Sequence, residues 1–239
     1  MTIEEDDARV AVESLGLLGD SFRVLDDVLI HLNHGCALLA GKDHDRGPHL
    51  AAILLLARAW NSLWRARVDI ASGYYVQSLV LCRAAYEDFG VLEYLSENAE
   101  DAGLWLKGVT APAAEFNTLP FSKIWPVVER RLAAAGAVYG ELCTMAHPTG
   151  ASLHGSVNVD ADGWIVRAGP KFDGEDANVA LRYALMIALQ LFTPLERLHV
   201  SMLGDFDREW QTEGKPLVDK VCVILGARAP WGTIHGGSA

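Results

Sequence analysis

Arg83 and Glu87 stand four residues apart inside residues 74–94, YYVQSLVLCRAAYEDFGVLEY, where most other positions are apolar or small. At 100° per residue they share one helical side with Val76, Leu79, Val80, Gly90, Val91 and Tyr94, so the spacing predicts two opposite charges inside an apolar stripe. Such a pair could fix an anion or a carbonyl through the guanidinium while the carboxylate moves a proton. Its plainer counterpart is an intrahelical ion pair that ties the helix to its neighbours, because a lone buried charge is too costly to keep.

Tyr139, Cys143 and His147 recur at intervals of four, and Pro148 ends the helix that would carry them. That places His147 at a helix C-terminus, where solvent can reach it and where a histidine is also favoured simply as a cation. His154, seven residues on, is a second imidazole for the same site. The expected catalytic set is Arg83 as clamp, Glu87 as acid or base and His147 as its partner, with Tyr86, Tyr139, Cys143 and His154 contacting a ligand. No metal is expected, since neither Cys-x2-Cys nor His-Glu-x2-His occurs and the Cys143/His147 pair would need two more ligands. The residues name no cofactor. His31 and His34, one turn apart, and His44 and His49, flanking a loop, read as surface histidines.

The elements that must position these groups are helical. Acidic residues open a helix over 3–18, Gly19 interrupts it, and a second runs over 20–40. Pro48 starts a third that carries Trp60 and Trp64 one turn apart, read as core, and that ends at Gly73. The central helix follows, apolar on nearly all sides. Asn98 caps a short helix, and Ser122 caps another that continues to Pro148 with a break at Gly136. Alternating residues around Asp162-Gly163 signal a β-hairpin. A long apolar helix over 173–203 has a kink expected at Pro194, and short helices over 207–211 and 216–225 come after it. The fold class is therefore an all-α bundle of about seven or eight helices with a small β-hairpin insert near 156–168. It forms one domain over 1–226 with an irregular tail over 227–239.

Taken together, Arg-x2-Tyr-Glu at 83–87 and Tyr-x2-Leu-x4-His-Pro at 139–148 resemble an uncharacterised bacterial family of all-helical proteins related to the HEPN helical bundles. The resemblance covers roughly residues 50 to 200 and implies that Arg83, Glu87 and His147 share one site. Catalytic HEPN proteins are metal-independent ribonucleases with Arg-x4–6-His near a helix end. This chain lacks that element before His147 and His154, and its one Arg-x6-His, Arg228 to His235, falls in the tail.

Composition narrows the classes further. The 239 residues carry a formal charge of −11 with basic residues scattered, which disfavours nucleic acid. The N-terminus has neither a basic segment nor an apolar one, and the uncharged apolar run 183–195 is shorter than a membrane span, so a cytoplasmic location and no membrane partner are expected. The apolar helices suggest a homodimer. The sequence thus predicts an intracellular helical protein whose Arg/Glu/His site binds or transforms a small polar or anionic molecule. A HEPN-like ribonuclease or phage-defence component and a purely structural interaction module are the alternatives.

Overall fold

The computed structural model describes residues 3–39, 42, 47–110, 119–146, 157–160, 163–166, 169–204 and 207–227. Helices α1 (Ile3–Leu38), α2 (Pro48–Ala71) and α3 (Tyr75–Glu97) come first. A 3-10 turn, Ala99–Asp101, then leads into α4 (Ala102–Thr110), α5 (Phe121–Glu129) and α6 (Ala135–Ala146). After two short strands come α7 (Gly174–Gln190), α8 (Phe192–Leu203) and α9 (Arg208–Leu225). The fold is an all-α bundle. The strands β1 (Val157–Asp160) and β2 (Gly163–Val166) pair antiparallel, with Val157 opposite Val166 and Asp160 opposite Gly163.

Helix α3 is the axis of the bundle. It packs most extensively on α2 and also touches α5, α6, α7 and α8, as expected for a helix with apolar residues on every side. Its deepest residues are Ser78, Cys82, Ala85, Tyr86 and Asp88, all with no exposed surface. In the stripe that carries the charge pair, Leu79, Gly90, Val91 and Tyr94 are buried, whereas Val80 is 43 % exposed and Arg83 and Glu87 are half-buried. A helix that is apolar all round satisfies the 3.6-residue period on more than one face, so periodicity alone could not choose the inner one.

Several boundaries follow from local chemistry. Gly73, with φ +82°, ends the link after α2 where the Lys171 backbone passes so close that a Cβ would lie 2.5 Å from its carbonyl oxygen. The expected break at Gly19 is a kink at Leu18 (φ −118°, ψ 17°) within one helix. The helix expected over 173–203 divides at Leu191 because Pro194 has no N–H for the Gln190 carbonyl and its ring crowds that oxygen. Asp173 and Asp207 cap α7 and α9, each accepting from backbone N–H groups of the first turn.

Four cap and boundary expectations are corrected. Ser122 lies inside α5, where Pro120 is the capping position. The Asn98 side chain donates back to the Tyr94 carbonyl at 2.9 Å instead of capping forward. The break before α6 falls over 130–134, ending at Ala134 with φ +66°, and Gly136 is helical with its N–H donating to Glu129. The two short helices expected after 207 form the single helix α9, with Pro216 inside it.

Residues 174–203 are long and apolar enough to cross a membrane by composition alone, yet 56 % of their apolar window is buried inside the bundle. The four cysteines are free thiols, Cys82 fully buried among them.

Candidate functional site

Arg83 and Glu87 are one helical turn apart on α3, and the Arg83 Nε donates to Glu87 Oε1 at 2.9 Å. Tyr139, from α6, donates its hydroxyl to the same oxygen at 3.1 Å. Its ring lies under the Arg83 guanidinium, 5.8 Å from ring centre to Cζ. One carboxylate oxygen is therefore held from two helices at once.

The tyrosine is itself fixed by aromatic packing. Phe121 stacks on it at 5.4 Å and Trp125 meets it at 4.7 Å, both from α5. Arg83 and Glu87 each retain 24 % of their side-chain exposure, so the cluster is ordered by the bundle and still reachable from water.

Electrostatics follow from this packing. Burial works against the Arg83 cation, but Glu87, with Cys143 and Tyr139, more than offsets it and the guanidinium pKa is raised. Burial, the bond to Cys143 and the neighbouring Glu87 charge all push the Tyr139 phenol above its ordinary value, so it stays a donor. The cluster can offer a charge-assisted contact to an anion and an aromatic face to a planar group.

The structure brings together Arg83, Glu87, Tyr139 and Cys143. Tyr86 departs from its expected role as a ligand contact: it has no exposed surface, stacks on Phe89 and Trp125, and its hydroxyl donates to the Ala135 carbonyl at 3.2 Å. It belongs to the core. His147 and His154 lie outside the described residues. Among the described residues no group of three or more potential metal ligands is present.

The deeply buried charges are others. Asp88 on α3 has no exposed side-chain surface and receives the Arg58 Nε from α2 at 2.8 and 3.0 Å, with Nη2 closer still. Glu93, 5 % exposed at its side chain, is held by Arg131 at 2.8 Å and by Arg197 in a tight ion pair. A signal for Asp88 was present, since it continues the Leu81, Ala85, Leu92 stripe. Its partner lies 30 residues away and had none.

His31 is also misplaced by the sequence reading. It is 6 % exposed, stacked on Trp210 at 4.8 Å and on Phe192 at 5.7 Å.

Fold and site together define an all-α bundle with a half-buried Arg/Glu/Tyr cluster on its axial helix. No protein-family model matches the chain, and no curated protein or solved structure matches it either.

Proposed function

We propose that this protein binds a small polar or anionic molecule at the α3/α6 face, with Arg83 as the clamp and Glu87 as the group that accepts or returns a proton. The observation that supports this reading is the convergence of Arg83 Nε and Tyr139 Oη on one Glu87 oxygen while the pair keeps a quarter of its surface. A pair that only ties α3 to its neighbours accounts for the Tyr139 bond as well, and what favours a ligand is the surface the pair retains. Preorganised polar groups reachable from solvent are what small-molecule recognition requires. His147 and His154 as further contacts, and the hairpin insert near 156–168, belong to the same proposal, as does a cytoplasmic homodimer.

The test is a thermal-shift survey of the full chain with small carboxylates, phosphates and nucleotides. A true ligand at a hundred times its Kd stabilises by about 2.7 kcal/mol. That gain should vanish in Arg83→Gln and fall in Tyr139→Phe, both folded by circular dichroism. A ligand that stabilises wild type and Arg83→Gln equally removes this site from the reading.

A further inference from the structure

A cavity lies on another side of α3, among the start of α2, the end of α3 and α8, and it shares no residue with the Arg83 cluster. Its volume is about 350 Å³, at the small end of the range for ligand sites. At about 30 Å³ per water it has room for about a dozen non-hydrogen atoms. Leu92, Leu95, Leu198 and Pro194 give it an apolar wall.

The polar groups are few and placed on one helix face. Arg197 and Ser201 are one turn apart on α8, and both line the cavity. Ser201 Oγ is 2.7 Å from His49 Nε2, the second residue of α2. The Arg197 guanidinium is held from behind by the buried Glu93 and by Ser96, whose Oγ accepts from Nη1 at 3.3 Å. Its Nε–H is buried and has no acceptor among the described residues.

We propose that this cavity binds an organic monocarboxylate of about ten non-hydrogen atoms whose body is apolar. One carboxylate oxygen takes an N–H that Arg197 presents to the cavity, the other takes a donor from the Ser201/His49 pair, and the apolar body lies on Leu92, Leu95 and Leu198. A dianion is a poor match. Glu93 already neutralises much of the guanidinium and would repel a second negative charge.

The test is calorimetric titration of the full chain with octanoate, against octanol as the neutral body of equal length and inorganic phosphate as the bare anion. Octanoate should bind at least tenfold more tightly than octanol, and phosphate should give no heat. Ser201→Ala should weaken octanoate severalfold and leave octanol unchanged. Ala52→Phe, which fills the cavity from α2, should abolish both. Arg197→Gln should bring octanoate down to the octanol level. If that variant fails to fold because Glu93 loses a partner, Ser201→Ala and Ala52→Phe still decide the matter.

Equal affinity for octanoate and octanol would overturn the carboxylate assignment. Phosphate binding in place of octanoate would do the same. Octanoate binding that survives Ala52→Phe, or no octanoate binding at millimolar concentration, would overturn the site. Glu87→Ala should leave octanoate binding unchanged, so failure here and failure at the Arg83 cluster are told apart.

Discussion

Arg58 on α2 reaches Asp88 on α3 with both its Nε and its Nη2, and the two partners of this ion pair differ completely in exposure: the arginine side chain is 62 % exposed and the aspartate has none. Burial, only partly offset by Arg58, raises the Asp88 pKa above its ordinary 3.8. The charged carboxylate is therefore the costly form in the folded chain, and the arginine is what makes it tolerable. The two removals should not be equivalent. Arg58→Leu leaves a buried charge unpaired and should cost about 3 kcal/mol or more, whereas Asp88→Asn removes the charge itself and should cost clearly less. Urea denaturation of both variants at neutral pH measures the difference, and equal losses would contradict this account.

His31 gives the bundle a second handle, in acid. Burial is the main reason its pKa lies below the ordinary 6.5, with Glu213 and the Trp210 contact opposing and His34 adding to the shift. A base whose folded pKa is depressed takes up its proton more readily when unfolded. Its contribution is thus full above pH 6.5 and declines as pH falls from there toward the folded value. Wild type should lose melting temperature over that interval. His31→Phe, which keeps the stack with Trp210 and Phe192, should flatten that part of the curve. Parallel pH profiles for the two proteins would show that another group is responsible.

These two sites also show what could be read from the chain beforehand. The helices were legible because long apolar periods need no partner to be recognised. So were the start at Pro48 and the Trp60–Trp64 stack, observed at 5.7 Å with ring planes 9° apart, but the expectation that both rings are core fails at Trp64, which is 42 % exposed. The pairing of Arg83 with Glu87 was legible for the same reason, being four residues long. What failed were decisions made at a distance. His31 is interior only because α8 and α9 deliver Phe192 and Trp210 to it. Glu93 is buried only because Arg197 arrives from 104 positions away. The inner face of α3 likewise depended on which neighbours docked.

Alkali should expose a third property. All six tyrosines, Tyr74, Tyr75, Tyr86, Tyr94, Tyr139 and Tyr183, have phenols raised above the ordinary 10.0. Burial leads in five of them. For Tyr94 the hydrogen bond to Asp101 leads and takes it to about 12. Above pH 10 the unfolded chain therefore releases protons that the folded chain retains, and stability falls as pH rises toward the folded values. A phenolate absorbance titration of the native protein should stay nearly flat past pH 10, and the same titration in denaturant should not. A native curve centred at 10 would contradict the packing described for these rings.

The docking of α9 rests on Trp210, which is 1 % exposed, donates its indole N–H to the His31 carbonyl at 2.9 Å and meets the His199 ring edge-on. Trp210→Ala should cost about 3–5 kcal/mol through the cavity it leaves. Trp210→Phe should cost less, losing one hydrogen bond and part of the ring. Gly35 supplies a sharper test, because a Cβ there would lie 2.8 Å from the indole Cε2 and Nε1 and from Leu195 Cδ2. Gly35→Ala alone should cost about 1–3 kcal/mol by overpacking. Combined with Trp210→Phe, which withdraws the six-membered fusion and the nitrogen, the alanine meets only Leu195, and the double variant should be more stable than the sum of the two single losses allows. A double-mutant cycle by urea denaturation reads that coupling directly, and strict additivity would mean that the α1 backbone yields instead of the indole.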